Sequence, residues 1–180
     1  EFQKAIKSLE EPIKKLEETA NNGIKSTKEI SGTLNMVATT SLEWSKSRLV
    51  TESISKKLRT VNKGASAGVS SFNDTSKFLT SFAKQLTNQT LPQVSNADKT
   101  MGSALTMLDG ALSTTLPNLT ADLENEKQKI ANFRPSLAGL QTDKTMDTAM
   151  KVLDGALNTA LPSLIVDLEN EKEKIANAKP

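Results

Sequence analysis

The sequence has no histidine, no cysteine and no tyrosine, and only one tryptophan. Without histidine there is no Ser-His-Asp triad, no HExxH zinc site and no side chain that titrates near neutral pH. Without cysteine there is no thiolate nucleophile, disulfide, zinc finger or iron–sulfur cluster. Carboxylates, lysines and hydroxyls remain, but no spacing among them indicates an active site. We therefore expect a non-enzymatic protein without a cofactor.

The chain also lacks a strong net charge. Its formal charge is +2 over 180 residues, with +5 in residues 1–90 and −3 in residues 91–180. Nucleic-acid binding usually requires a strong basic stripe and often aromatic stacking platforms, so we expect no nucleic-acid partner. The opposite charges of the two halves favour helices that pack against each other within the chain. The alternative is that the charges attract a binding partner.

Long apolar runs are absent as well. No stretch approaches the eighteen or so consecutive apolar residues of a membrane-spanning helix. We expect a soluble chain with no transmembrane segment.

A duplicated segment organises the second half. Residues 98–133 and 143–178 align with a displacement of 45, and 24 of the 36 aligned positions are identical. The block Leu108-Asp-Gly-Ala-Leu112 recurs unchanged from Leu153 to Leu157. A segment repeated in this way is typical of an architecture whose copies pack against each other.

Apolar residues in each copy follow steps of three and four, the rhythm of a heptad seam that faces a neighbouring helix. The predicted seam, which is also the predicted lining of any apolar-ligand cavity, comprises Leu105, Leu108, Leu112, Leu119, Leu123, Met150, Leu153, Leu157, Leu164 and Leu168. Leu116 and Leu161 widen this seam, and Thr115 and Ala160 occupy seam positions between leucines. Gly110 and Gly155 beside it predict close approach of another helix.

The first half has the same pattern in a less regular form. Apolar steps of three and four end at Asn21-Asn22-Gly23, a typical helix stop. A second series from Ile30 runs to the glycine-rich segment 64–68, and a third follows it. The pattern predicts three helices before residue 92, and two long ones after it joined by a turn over 134–142. Asp98 and Asp143 are predicted N-caps.

Prolines fall inside the predicted helices. Pro12, Pro92, Pro117 and Pro162 each follow a small polar residue at the fourth position before them, whose freed carbonyl oxygen water can satisfy. Helices that kink at these prolines are favoured. The alternative starts a new helix at each proline, which would make Leu116 and Leu161 N-caps, a role that leucine fills poorly.

Repeated carboxylates invite a metal hypothesis. Asp122 with Glu126, and Asp167 with Glu171, lie one helical turn apart. Helical-bundle metal sites normally include histidine, so ion pairs such as Glu124 with Lys127 and Glu171 with Lys174 explain the pattern better, and no metal site is expected. Glu126 and Glu171 also fall on the seam, which predicts either a frayed bundle end or pairing with a lysine of another helix.

Three sequons, at Asn73, Asn88 and Asn118, are candidate N-glycosylation sites. Their number is about what random placement of the chain's Asn, Ser and Thr residues would give. With them we expect an extracellular, secreted protein, and a cytoplasmic location stays open. The single Trp44 and the phenylalanines are expected in the core.

Together these patterns predict an all-α fold, an elongated antiparallel bundle of about five long amphipathic helices with coiled-coil-like heptad seams. Residues 1–92 would supply the N-terminal helices and residues 93–180 a duplicated hairpin, all within one continuous structural unit. The expected function is self-assembly or binding of a protein partner. The alternative is a carrier of lipid or another small apolar ligand in the bundle core.

Overall fold

The fold is all-α in a computed structural model that describes residues 2–95, 106–140 and 143–178. No strand occurs in these ranges. The α-helices are α1 (Phe2–Lys7), α2 (Glu10–Ser45), α3 (Glu52–Gln85), α4 (Leu91–Ser95), α5 (106–110), α6 (Leu116–Phe133), α7 (Lys144–Gly155) and α8 (Leu161–Ala178). Three π-helical segments lie between them, Leu86–Thr90, Ala111–Thr115 and Ala156–Ala160, and Arg134–Leu140 forms a 3₁₀ helix.

The chain divides into two compact units, each a bundle of helical segments. Unit 1 comprises Glu1–Lys25, Ser76–Glu124 and Ser163–Pro180, and unit 2 comprises Ser26–Thr75 and Asn125–Pro162. Each unit draws on residues from before and after position 92. The division of the sequence into 1–92 and 93–180 therefore stays a prediction about the sequence and does not describe these units.

Both units bury an apolar core. In unit 1 the completely buried side chains include Leu9, Ile13, Leu79, Leu119, Leu123 and Leu168. In unit 2 they include Val37, Phe72, Leu137, Met146, Leu153 and Leu161. Since burying one such side chain stabilises a fold by about 1.5–3 kcal/mol, these cores are the main source of stability in each unit.

Two helix ends predicted from glycines are wrong. Helix α2 continues through Gly23 and α3 continues through Gly64 and Gly68, and neither helix has a glycine with positive φ. The first half therefore contains two long helices where three were predicted. The chain instead turns at residues 46–51, where no glycine or proline occurs.

Hydrogen bonds within the turn explain why it can form there. The backbone N–H of Ser47 donates to the carbonyl oxygen of Trp44 at 3.1 Å, and that of Val50 donates to the carbonyl oxygen of Ser47 at 3.5 Å. Thr51 Oγ1 accepts from the backbone N–H of Ile54 at 3.3 Å and so caps the first turn of α3. Ser47 Oγ likewise accepts from the backbone N–H of Leu49 at 3.2 Å, so serine and threonine hydroxyls stabilise a turn that contains no glycine.

The glycines of α2 and α3 are sites of close packing instead. In unit 1 a Cβ atom on Gly23 would lie 2.9 Å from Leu164 Cδ2 and 3.1 Å from Leu79 Cδ1. By contrast, a Cβ on Gly110 or Gly155 would meet nothing within 4 Å. The prediction that Gly110 and Gly155 admit a neighbouring helix is therefore wrong.

Polar side chains join α2 to α3 in unit 2. Ser55 Oγ donates to the carbonyl oxygen of Ser45, and Asn62 Nδ2 donates to that of Ala38, each at 2.7 Å. Ser31 Oγ donates to Asn73 Oδ1, also at 2.7 Å. On α2 the three positions are spaced by seven residues, so one face of the helix carries all three bonds. We call this set the polar ladder. Its positions on α3 are spaced by seven and eleven residues, so the two bonds nearest the turn share one antiparallel register and the third is offset from it by four residues.

Each Leu-Pro pair follows a π-helical segment. The backbone N–H groups of Leu91, Leu116 and Leu161 donate to carbonyl oxygens five residues back, on Leu86, Ala111 and Ala156. All three leucines keep right-handed helical dihedral angles. The chain thus stays helical up to and beyond the proline, and the alternative in which these leucines are N-caps is wrong. The wider turn accommodates the proline ring by adding one residue.

The π segments also change which side chains reach the core. Leu116 and Leu161 are 1% and 0% exposed, whereas the predicted seam positions Thr115 and Ala160 are only half-buried. The step from Ala156 to Leu161 is therefore five residues. A strict alternation of three and four cannot represent this step, which is why the sequence pattern missed it.

The remaining helix starts are partly as predicted. The side chain of Asp143 accepts from the backbone N–H of Met146 at 3.1 Å, which confirms it as an N-cap. Pro12 was predicted in the interior of a helix, but it lies in the first turn of α2. At that position its missing N–H costs little stability. Asp98 lies outside the described residues.

Candidate binding groove

An apolar groove of about 340 Å³ opens on unit 2. Helices α2, α3 and α6 supply its walls. It is lined by Leu34, Gly64, Ala67, Gly68, Phe72, Lys129, Ile130, Asn132 and Phe133. We call it the Phe133 groove. Its volume lies at the lower end of the range, roughly 300–1,000 Å³, that small-molecule sites occupy.

Two glycines one turn apart shape the groove. A Cβ atom on Gly64 would lie 2.9 Å from Phe133 Cδ2, and one on Gly68 would lie 2.7 Å from Leu34 Cδ1. Since real Cβ atoms almost never approach so closely, a larger residue at either position would displace the ring or the leucine methyl, and glycine lets both lie against the backbone of α3. The sequence does not indicate the groove, because a glycine-rich segment such as 64–68 also predicts a helix break.

A polar cluster lies at one edge of the groove. Ser71 donates a hydrogen bond from Oγ to Glu126 Oε1, and Lys129 Nζ lies 2.8 Å from Ser71 Oγ and 3.3 Å from Glu126 Oε1. The Glu126 side chain is 3% exposed and that of Lys129 is 59% exposed. The lysine therefore connects a buried carboxylate to solvent at the groove.

This cluster corrects the expectation for the seam carboxylates. The lysine that pairs with Glu126 comes from its own helix, and α6 continues to Phe133, so the helix does not end at Glu126. In unit 1 Glu171 is 8% exposed and Lys174 Nζ lies 3.5 Å from its Oε1, the pairing predicted for these two residues. In both carboxylates Oε2 is buried with no hydrogen-bond partner. Such an oxygen normally destabilises a fold.

Within the described ranges no three acidic side chains lie close enough together to hold a metal ion. Of the repeated carboxylates, Glu126 belongs to unit 2, and Asp122, Asp167 and Glu171 belong to unit 1.

A second cavity of about 410 Å³ lies in unit 2 beside Gly155. It is lined by Ser26, Glu29, Ile30, Val152, Gly155, Ala156, Thr159 and Ala160. Because most of these side chains are small or polar, it offers little apolar contact to a ligand. The Phe133 groove, in which the half-buried Phe133 supplies accessible aromatic surface, is the better candidate.

Most of the predicted seam residues are buried, and their role as the lining of an apolar-ligand cavity stays a prediction. Leu108, Leu112, Leu119, Leu123, Met150, Leu153, Leu164 and Leu168 are buried, Leu157 is half-buried, and Leu105 lies outside the described residues. None of the nine described residues lines the Phe133 groove or the cavity beside Gly155.

The three sequons all lie in helical segments. Asn73, Asn88 and Asn118 are exposed, but the threonine two residues after each is buried, with Thr75 and Thr90 at 1% and Thr120 at 9% exposure. Residues two apart on a helix do not share a face. The folded chain thus presents each asparagine without its threonine. Glycosylation at these sites stays a prediction.

An ion pair fastens the 3₁₀ segment to α7 in unit 2. Arg134 donates to both carboxylate oxygens of Asp154, from Nε to Oδ1 and from Nη2 to Oδ2 at 3.1 Å. These hydrogen bonds hold the pKa of Asp154 below its ordinary value, since they favour the charged carboxylate. They raise the pKa of Arg134 in turn.

No protein-family model, curated protein or solved structure gives a significant match to this chain. None of the described helices is long and apolar enough to cross a membrane.

Proposed function

We propose that this chain is a non-enzymatic interaction protein, acting in an extracellular setting through a protein partner or a second copy of itself. The proposal rests on the Phe133 groove, an apolar surface that the side chains of unit 2 leave open. Coiled-coil-like seams and a duplicated second half belong to the same proposal. The 24 identities between the repeats and the buried leucines at steps of three and four in α6 and α8 support them.

The occupant that fits the groove best is the apolar side of another helix. Half-buried Phe133 and exposed Ala67 offer the groove its accessible apolar contact, while the lining residues Phe72 and Ile130 are buried. Asn132 and Lys129 add polar groups at its edge. A helix presents apolar side chains at three- and four-residue steps, which suits a groove bounded by helices. A second copy is the first partner to test, because its α2 and α3 carry the exposed apolar side chains Met36, Leu42, Ile54 and Phe78.

The test compares two variants of neighbouring exposed residues on α3. Ala67 lines the groove and Ser66 does not, so Ala67→Phe fills the groove while Ser66→Phe adds the same ring outside it. We expect the wild-type chain to self-associate with rising concentration in sedimentation velocity. Ala67→Phe should weaken association at least tenfold, and Ser66→Phe should leave it unchanged. A wild-type chain that stays monomeric at high micromolar concentration would rule out self-assembly.

The second candidate function is that of a carrier, and Lys129 favours it. An amphiphilic anion such as a fatty acid could place its tail against Phe133 and its carboxylate near the Lys129 ammonium. Native mass spectrometry of the protein from its source, followed by solvent extraction, tests this directly. Release of no apolar molecule, together with no binding of a fluorescent fatty acid, would exclude the carrier function.

A further inference from the structure

The turn between α2 and α3 exposes apolar side chains to solvent. We call residues 42–59 the hairpin tip. Leu49 is 96% exposed, Ile54 45% and Leu42 38%. Val50 and Trp44 are half-buried beside them. The tip thus carries an almost fully exposed leucine, and apolar side chains continue on both sides of it.

Cations surround this apolar apex. Lys46, Arg48, Lys56, Lys57 and Arg59 are exposed, against only Glu43 and Glu52, so the tip has a net charge of +3. Among the described residues, none of the five cations lies within ion-pair distance of a carboxylate. Their charge is therefore available to an anionic surface.

Several backbone N–H groups of the tip are already hydrogen-bonded within it. The N–H groups of Lys46, Ser47 and Val50 donate to carbonyl oxygens within the tip, at 3.2, 3.1 and 3.5 Å. The N–H of Leu49 donates to Ser47 Oγ at 3.2 Å. Backbone groups that are already hydrogen-bonded are not left unsatisfied when water is removed, so entry into a poorly hydrated layer is less unfavourable.

We propose that the hairpin tip docks on an anionic lipid surface, with Leu49 and Val50 inserted among the headgroups and the five cations against lipid phosphates and carboxylates. A fluid bilayer closes around a single protruding leucine. A protein partner would need a broad complementary surface of roughly 800 Å² on each side. The apolar surface of the tip is instead centred on one protruding side chain, Leu49. The proposal is independent of the groove.

Vesicle binding tests it with the full chain. Trp44 is the one tryptophan of the sequence and lies in the last turn of α2, so its emission reports on the tip. With vesicles of phosphatidylcholine and phosphatidylserine at low salt, we expect co-sedimentation and a shift of this emission to shorter wavelength. Phosphatidylcholine alone, or high salt, should reduce binding at least tenfold because the attraction is electrostatic.

Matched variants assign the effect to the tip. Leu49→Ser should weaken vesicle binding about tenfold, whereas Val166→Ser, at another exposed apolar residue, should not. Charge reversal at Lys56 and Lys57 should weaken it more than tenfold, whereas reversal at the exposed pair Lys14 and Lys15 should have little effect.

Three outcomes would overturn the proposal. The first is equal binding to neutral and anionic vesicles. The second is a Leu49→Ser variant that binds like the wild type. The third is no vesicle binding combined with Leu49-dependent binding to an acidic protein, which would assign the tip to a protein partner. The groove variant Ala67→Phe separates this test from that of self-association, because it should bind vesicles normally.

Discussion

Asn62 of α3 donates a hydrogen bond from its side-chain amide to the backbone carbonyl oxygen of Ala38 on α2, across the hairpin of unit 2. One heptad along each helix, Ser55 makes the corresponding bond to Ser45. If α3 slipped by one heptad, Val69 would replace Asn62 and this bond would be lost. Polar groups that match in only one alignment select that alignment, as buried asparagines do in coiled coils.

Removing the amide tests the polar ladder. We expect Asn62→Ala to lower the free energy of unfolding by about 1 kcal/mol, the typical net value of one hydrogen bond. Asn35→Ala is the matched control, since Asn35 is an exposed residue of α2 and gains the same helix propensity. Urea denaturation of both variants measures the difference. Equal midpoints would show that the ladder bond adds nothing to stability.

Glycine-to-alanine substitutions distinguish a glycine that is needed for close packing from one that has no neighbour near its Cα. Gly32 in α2 has nothing within 4 Å of a Cβ atom, so Gly32→Ala should stabilise the protein by about 0.5–1 kcal/mol through helix propensity. Gly64→Ala should lose that gain and destabilise, because its Cβ would lie 2.9 Å from the Phe133 ring. Thermal melting of the two variants should move in opposite directions. A Gly64→Ala variant as stable as Gly32→Ala would contradict the close contact.

The π segment before Pro162 predicts that the loss of stability caused by deleting one residue depends on whether the proline is present. Deleting the exposed Thr159 would convert the π turn to an α-helix and keep both helix faces aligned, but Pro162 would then stand inside a regular helix. We expect the deletion alone to be less stable than the deletion combined with Pro162→Ala by about 3 kcal/mol, the cost of an interior proline.

Pro162→Ala in the chain without the deletion completes a double-mutant cycle. It should have a much smaller effect on stability, since the π turn already accommodates the ring. Chemical denaturation of the four proteins gives the coupling between the two changes. Additive effects would mean that the wider turn and the proline are unrelated.

Buried Glu126 is predicted to be a destabilising residue. Its Oε2 has no hydrogen-bond partner, so Glu126→Leu, which places an apolar side chain at the same position, should leave stability unchanged or raise it. Ser71→Ala should lower stability, because it keeps the buried carboxylate and removes its hydroxyl donor. Denaturation midpoints of the two variants compare these effects. A strong loss with Glu126→Leu would point to a role for the charge itself.

Acid should weaken the Arg134–Asp154 ion pair. Because the folded-state pKa of Asp154 is lowered, the pair stabilises the fold above the ordinary aspartate pKa of about 3.9 and loses this effect as pH falls through the lowered pKa. Asp154→Asn should therefore be less stable than the wild type at pH 7. The difference should vanish in strong acid. A difference that is independent of pH would exclude this origin.

The all-α fold and most buried leucines could be predicted from the sequence, because apolar spacing reports directly on which face of a helix is buried. The roles of the glycines could not. Gly23, Gly64 and Gly68 resemble helix ends in the sequence, yet side chains distant in the sequence occupy the space that a Cβ would take. Only the tertiary packing distinguishes the two uses of a glycine.

The groove shows the same limit. Phe133 could be assigned to an apolar face, but its contact with Gly64 joins residues 69 positions apart and no local pattern records it. The turn at 46–51 could not be predicted for a different reason. Turns are usually predicted from glycine and proline, whereas serine and threonine hydroxyls stabilise this one.

The π segment that precedes each Leu-Pro pair has a consequence for how this chain can vary. Losing the extra residue leaves a proline inside a regular helix, while replacing the proline leaves the extra residue in place. A straight helix therefore requires two changes, the first of which is either harmful or without benefit. Mutation and selection would tend to keep both features together, so related chains should retain or lose them as a pair.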